Sequence, residues 1–566
     1  MIRAGLDGAE AGAHETIVVG SGPAGLTLAM ELARRGRPTL VVESGLDRPS
    51  KAQELSRAEI VDPARHDDMR IATARRLGGT SNLWGGRSMP LDPIDFVPRP
   101  FASGVRWPIG YDDLASYYPT ACRYIGCGEA AFTLAAPELS AASDDFALDR
   151  IERASNRPSF QKAHTAALAA SPLIDIRLGA TVVEIALADN GRATGVVATT
   201  ADGRRLRLAA ERVVLAAGGL ESTRLLLAAQ RRRPALFGGA DGPLGRHYMG
   251  HVIGEIADVV FDDPRVDAAF DFVRDGRGSF VRRRFAPSPS LMARFDLPNI
   301  AFWPVAPPIA DPRHGSGALS AVAMALSTPI VGGMILPELI RARHLGGPID
   351  WFAHARNLAS DLPATTAFLA RFMRDRYFSA ERIPGYFLRN RPRRYGLSYH
   401  AEQIPNPDSR VTLAAESDRL GLPRLRVDLR FSRADGEAIA RAHRQLALWL
   451  SASGFGRIEY RQSEAASAEA ALALMSHGSH QIGTARMGAN RREGVVDGDL
   501  ACFDAPNLYV LGSAVFPTSG QANPTLSIVA FAARLAEKLA AAPPPFSPHP
   551  LAGERACVIT SPISAS

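Results

Sequence analysis

The sequence predicts an α/β fold, with strand–turn–helix units near both ends of the chain and a more irregular sheet-and-helix region in its middle. Three observations predict it. The strand formers Thr16-Ile17-Val18-Val19 run into a glycine turn, a helix and a second strand. Another α/β block begins near Ile174 and closes on Val213-Val214-Leu215. A last strand, turn and helix occupy Asn507 to Ala541. Short unbroken apolar runs bounded by glycine are the pattern of strands buried on both faces, as in parallel sheets.

In chain order, residues 1–13 read as a loose leader. The turn Gly20–Gly25 follows the first strand, a helix runs from Leu26 to Arg35, and Gly36 supplies the left-handed position that ends it. Thr39 to Val42 is the next strand. Val182–Ala188 and Ala193–Thr199 flank Asn190-Gly191, a hairpin turn. The strand 213–215 passes through Ala216-Ala217-Gly218-Gly219 into a helix over Glu221–Ala229. The middle is proline-rich, with helices near Phe352–Phe378 and Ala434–Ser453. The uncharged run Ala318–Pro337 is nearly long enough to span a bilayer, but Pro329, Gly332, Gly333 and Pro337 interrupt it. It reads as a buried strand followed by a helix start, with peripheral membrane contact left open. The expected domains are 14–250 with a loop insertion at 72–125, 251–470, and a C-terminal segment 471–541 that completes the first. Residues 1–13 and 543–566 are expected to be flexible tails.

Composition excludes several classes. Hydrophobic residues are 46% and charged residues 22% of 566, an ordinary globular balance. The net charge is +7, yet only three basic residues are lysines (Lys51, Lys162, Lys538), and the arginines are scattered. That is a bias of composition, not a nucleic-acid footprint. Four cysteines make no disulfide framework, and Cys122 and Cys127 lack nearby partners for zinc. They are expected to be buried thiols. Met1–Glu15 has no apolar signal core, which points to the cytoplasm.

The chemistry begins at Gly20-Ser21-Gly22-Pro23-Ala24-Gly25. Gly20 permits the turn, Gly22 lets backbone approach a pyrophosphate, and Gly25 lets helix pack on strand. The helix N-terminus turns N–H groups toward phosphate. Glu43 ends the second strand 18 residues past Gly25, where a carboxylate meets ribose hydroxyls. This is a Rossmann-like dinucleotide site. A second unusual stretch, Arg76 to Gly86, carries four glycines within 78–86. Such a loop suits backbone laid against a flat ligand.

Taken with the C-terminal motifs His480–Gly488, Gly512-Ser513 and Asn523-Pro524-Thr525, the sequence resembles the glucose-methanol-choline (GMC) FAD-dependent oxidoreductases, over roughly residues 15 to 540. Gly78-Gly79-Thr80-Ser81-Asn82 is similar to the family's segment along the isoalloxazine ring. Ala180-Thr181-Val182 resembles the strand that meets adenine, with Val182 as the contact, and Ala216 to Ser222, with Ala216 and Gly218, the second flavin segment. His480-Gln481-Ile482-Gly483-Thr484-Ala485-Arg486-Met487-Gly488 matches the HxxGTxxMG pattern. Gly512-Ser513 and Asn523-Pro524-Thr525 follow in the family's order, with Asn523 43 residues beyond His480. The resemblance implies a two-domain fold, with an FAD domain of discontinuous segments capped by a substrate domain. It implies His480 as base and Asn523, the partner found in sugar oxidoreductases and some sterol enzymes, as stabiliser of the alkoxide. It also implies FAD held without a covalent bond, because Leu83 stands where the pyranose-oxidase branch can carry a histidine.

The chemistry asks for those residue types. Oxidising an alcohol removes a hydride, which flavin N5 takes, and a hydroxyl proton, which a neutral histidine accepts near neutral pH. An asparagine amide donates to the developing alkoxide without adding charge. His477 is the local rival of His480. Glu402 and Gln403 read equally as pocket lining or as a buried salt bridge, and His247 and His251, at i and i+4, read as structural. No metal site is expected. The expected function is oxidation of a CH–OH group of a sugar, glycoside or polyol. Oxidation of a sterol or other alcohol and a hydroxynitrile-lyase reaction without net redox are alternatives, and a non-enzymatic FAD-bound scaffold is a weaker one. The electron acceptor is oxygen or a separate protein, since no haem motif is present.

Overall fold

The computed structural model describes residues 1–335, 338–346, 349–390 and 392–541. A nine-stranded sheet organises the N-terminal half. Its parallel part runs, in spatial order, Ile2–Ala4, Ile174–Leu178, Thr39–Glu43, His14–Val19 and the end of Arg205–Leu215, with Ala505–Val510 beyond. Val18 lies opposite Val41 on one side and Val214 on the other, and Val214 lies opposite Tyr509. Segments some 490 residues apart thus share one sheet. The hairpin at Asn190-Gly191 is present, between Ala180–Leu187 and Ala193–Thr200, with Gly191 at φ +84°.

Helix Pro23–Arg34 lies against this sheet because Gly25 has no side chain. A Cβ there would sit 2.1 Å from the Gly20 carbonyl oxygen. Helix Thr525–Ala541 packs on the same helix, and both contribute to one core with the parallel strands. Residues 411–429 join that core as well, and their strand Pro423–Asp428 pairs with Glu59–Ile60.

A second core gathers on a four-stranded antiparallel sheet, in the order Ile300–Val305, Arg394–Ala401, Val252–Phe261, Gly456–Tyr460. Helix Arg433–Ala452 covers it, burying Ile439, Ala442, Leu446, Trp449 and Leu450 at helical spacing. A capping box between Ser432 and Asp435 fixes its start.

Two expectations are corrected, and a third is refined. Residues 1–13 are not a loose tail: Ile2–Ala4 adds a parallel edge strand, and Leu6 and Ala9 are buried. The uncharged run is not a strand but two helices, Gly317–Ser327 and Pro329–Ile335. Ser316 accepts from the Leu319 N–H to cap the first, the alanines favour it, and Thr328-Pro329 breaks it. The helical stretch near 352–378 divides into Trp351–Ser360, Leu362–Met373 and a π-turn at Arg374–Phe378. Cys122 and Cys127 are buried free thiols, as expected. The tail beyond 542 lies outside the described residues.

Candidate functional site

A cavity of about 480 Å³ opens at the C-terminal ends of the parallel strands, where Val19, Val42 and Leu511 line it. That is the edge at which open α/β sheets bind ligands. Ile253, Trp303 and His400, all from the antiparallel sheet, close its other side.

Most of the residues expected to hold a dinucleotide line this cavity. They include Gly20, Gly22, Pro23, Ala24, Glu43, Val182, Ala216 and Gly218. From the loop come Gly79, Thr80 and Ser81, and from the C-terminal segment Gly512, Ser513, Asn523, Pro524 and Thr525. Gly25, Gly78 and Asn82 do not line it. Gly25 is the helix–strand contact described above. Gly78 donates its N–H to the Ser21 carbonyl at 2.9 Å. Asn82 Nδ2 donates to the carbonyls of Leu77 and Gly79, at 2.9 and 2.8 Å. These residues brace the loop against the glycine turn. The two segments touch at backbone: a Cβ on Gly79 would lie 2.8 Å from Gly22 Cα.

The lining suits FAD. Helix Pro23–Arg34 begins at Gly22 with no side chain capping it, and a Cβ on Gly22 would meet nothing nearer than 4.0 Å. The helix end therefore faces open cavity, as a pyrophosphate requires. Around Gly218 and Gly512 the same space is open. Glu43, buried at its strand end, is pinned by the Ser21 N–H at 3.0 Å, the Ser21 hydroxyl at 2.7 Å and the Gly45 N–H at 2.8 Å.

Four histidines gather at the junction of the two cores. His480 Nδ1 lies 2.8 Å from His251 Nδ1, and Asn523 Nδ2 lies 3.2 Å from His480 Nε2. An amide nitrogen only donates, so His480 Nε2 accepts and carries the lone pair. The proton of neutral His480 then sits on Nδ1 and is donated to His251. His251 is fully buried, and burial, followed by the neighbouring His480, holds its pKa well below the usual imidazole range. Backbone carbonyls of Ser519 and Ala522 act weakly against that shift, and among the described residues no acceptor stands within hydrogen-bond distance of its buried Nε2. The His400 ring lies 4.3 Å from that of His251, tilted by 31°, and donates Nδ1–H to the Gln521 carbonyl at 2.6 Å. The His477 ring is 4.5 Å from that of His480.

His251, His477 and His480 each bring a ring nitrogen within 4.8 Å of the others. The 2.8 Å contact is nevertheless a hydrogen-bond distance. Two nitrogens bound at about 2.0–2.1 Å to one tetrahedral ion stand ~3.3 Å apart. The nearby Arg87 also adds positive charge to the cluster.

Arg87 lies over the Trp303 ring at 4.0 Å and pairs with Glu152, which also holds Arg282 at 2.7 Å. Burial brings Arg87 down to about 10. Glu152 falls to about 2 against its burial, because Arg282, Arg87 and Arg284 surround it. Glu402 and Gln403 do not line the cavity. Glu402 is the buried ion pair of Arg99, with Nη2–Oε2 at 2.8 Å, and Gln403 accepts from the Gly250 N–H at 2.9 Å. His247 also points elsewhere, with burial lowering it to about 3. His251, its companion at i+4, belongs to the site instead. Sequence reasoning missed His251, His400, Arg87 and Trp303. Only the i, i+4 pair marked any of them, and it had suggested a structural role.

Two stretches of the chain match known protein families. Residues 405–532 match the family described as GMC oxidoreductase, and residues 13–73 match an FAD binding domain. Paromamine 6'-oxidase of Streptomyces fradiae is 26% identical, over 93% of this chain and 91% of its own. The 6'''-hydroxyparomomycin C oxidase of Streptomyces lividus is 25% identical over 94% and 93%. A fungal aryl-alcohol oxidase structure, 16% identical, superposes with a TM-score of 0.52 over 93% of this chain and 99% of its own, a likeness of fold. FAD is the cofactor of this chain.

Proposed function

We propose, for a chain that belongs to the GMC oxidoreductases, oxidation of a sugar or glycoside CH–OH group with His480 as base and Asn523 as partner. One observation carries the roles: the His480 Nε2 lone pair and the Asn523 amide, 3.2 Å apart, line one cavity with the FAD-type cradle. Bound FAD supplies the acceptor that takes the hydride.

The chain's own residues handle the proton. A substrate hydroxyl between the two groups gives its proton to His480 Nε2, while Asn523 Nδ2–H donates to the oxygen as charge develops on it. His251 Nδ1 accepts the His480 Nδ1 proton throughout, so the incoming proton makes an imidazolium that His251 stabilises. Trp303, its ring held under Arg87, adds an apolar edge to the cavity wall. Two full-length relatives named as oxidases of paromamine and hydroxyparomomycin support a sugar hydroxyl as the donor and oxygen as the acceptor. FAD is held without a covalent bond, since Leu83 offers no nucleophile in the loop.

The test is anaerobic. The visible flavin band of the purified protein is followed while amino sugars, other sugars, glycosides, polyols and simple alcohols are added. Bleaching by a sugar class, absent in His480→Ala with its flavin retained, supports the reading, and reoxidation in air identifies oxygen as acceptor. Bleaching only by non-sugar alcohols, or full-rate bleaching in His480→Ala, overturns it.

A further inference from the structure

We propose that the helical insertion 317–378 docks the enzyme on an anionic lipid bilayer surface. It is a unit with its own small core. Helix Gly317–Ser327 lies at its centre, with Leu319, Ala323 and Leu326 buried together with Ile309. Helices Pro329–Ile335, Glu338–Leu345, Trp351–Ser360 and Leu362–Met373 pack around it.

The apolar surface of this unit is outside as well as inside. Among the described residues, the four most exposed large apolar side chains of the chain are Met334 at 83%, Phe352 at 82%, Phe378 at 81% and Ile330 at 78%, and all belong to it. Exposed apolar residues scattered singly need no explanation, but a concentration in one element does.

Hydrogen bonds show which of them share an end. Ser320 Oγ meets His354 Nδ1 at 2.9 Å, and the Gly317 N–H donates to Asp361 at 3.3 Å. Trp351–Ser360 therefore runs antiparallel to Gly317–Ser327. Its first residues, Trp351 and Phe352, lie by the C-terminal end of the central helix, where Thr328 leads into Pro329–Ile335. Ile330 and Met334 sit on the helix that follows this same end of the central helix.

Charge selects the occupant. Residues 317–378 hold six arginines against four carboxylates. Asp350 is used in capping Ala353, Asp361 in binding Gly317, and Asp375 is shared by Arg274 and Arg374. Arg356, exposed one turn past Phe352, has no carboxylate partner among the described residues. Aromatic and aliphatic tips that project from short helices, with arginine beside them, match the headgroup layer of an anionic leaflet. An interface between copies buries flatter, packed surface. No helix among the described residues is long and apolar enough to cross a membrane, so the contact is with one face of the bilayer. The site is also well placed for use: helix Glu338–Leu345 packs on Met69–Ala72, which lines the cavity. A docked enzyme holds its cavity close to the lipid surface, within reach of amphiphilic donors.

The experiment is co-sedimentation of the FAD-loaded enzyme with phosphatidylcholine vesicles, with and without phosphatidylglycerol. Binding to the anionic vesicles is expected, weakened by salt. It should fall roughly tenfold or more in Ile330→Ser/Met334→Ser/Phe352→Ser and severalfold in Arg356→Glu. Flavin content and melting temperature of each variant, kept at the parent's values, exclude unfolding as the cause. No sedimentation with either vesicle, undiminished binding by the triple variant, or equal binding to both vesicle types overturns the proposal. So does a dimer in solution that the triple variant turns into a monomer, which would assign the face to a second copy.

Discussion

Asn523 and His251 together hold His480 in the tautomer whose Nε2 is basic. The 2.8 Å Nδ1–Nδ1 contact can hold one proton, and the Asn523 amide at Nε2 puts that proton on the His480 side. Without an acceptor at His251, Nδ1–H loses its partner and the ring is free to take the other tautomer, with Nε2 blocked. His251→Phe is therefore expected to lower the rate of anaerobic flavin reduction roughly 10–100-fold. KM and flavin content should stay near the parent's values, and His251→Gln, whose amide oxygen can accept, should recover part of the loss. A merely structural histidine would instead lower flavin content and melting temperature together, with no rescue by glutamine. The proposed base and its partner were legible in sequence because His480 and Asn523 each lie inside a local motif. His251 was not, because its role depends on a contact across 229 residues. Its burial and its meeting with His480 arise only when the antiparallel sheet docks beside the cavity.

At the scale of elements, legibility followed locality. The strand–turn–helix at 16–42 and the hairpin at Asn190-Gly191 are written in neighbouring residues, and they fold as expected. The uncharged run at 318–337 was misread because strand and helix compete over a short apolar stretch. Its alanines and the Ser316 cap decide for helix. The small sheet of Arg87–Ser88, Ile151–Ala154 and Phe280–Arg283 had no sequence signature, since charge holds it together. Glu152, 5% exposed, joins Arg87 on one strand to Arg282 on another. Its carboxyl falls from 4.5 to about 2 when folded, so its contribution is complete above about pH 4.5 and is lost as pH falls through about 2. Removing one partner of such a buried cluster costs about 3–5 kcal/mol. Glu152→Gln should therefore melt well below the parent at pH 7. The gap should narrow as pH falls from 4.5 toward 2, because the parent then loses the same charge. A gap unchanged over that range would mean that packing, not charge, holds these strands.

At the scale of the molecule, the cavity is a joint. Its floor comes from the first core, through Gly20, Glu43 and Gly218, and its far wall from the second, through Ile253, Trp303 and His400. The histidine set spans the same seam, with His251 leading into the strand Val252–Phe261 and His480 in the segment that runs back to the first core. A ligand filling the cavity touches both walls and should make the two cores melt as one. FAD binds only the folded chain, and at a thousandfold excess over Kd that is worth about 4 kcal/mol. Because Leu83 leaves the loop without a bonding histidine, the cofactor should leave under mild acid and salt. Calorimetry on the apoprotein is then expected to show a lower transition split into two, and added FAD should restore one higher transition. Gly22→Val is a control that needs no stripping. The position is open, so its side chain disturbs neither core, yet it stands over the helix end that a pyrophosphate must reach. It should purify without flavin and melt like the stripped parent. A single transition in both apo forms would show that the protein contacts across the seam couple the cores by themselves, with the cofactor adding only to the stability of a unit already joined.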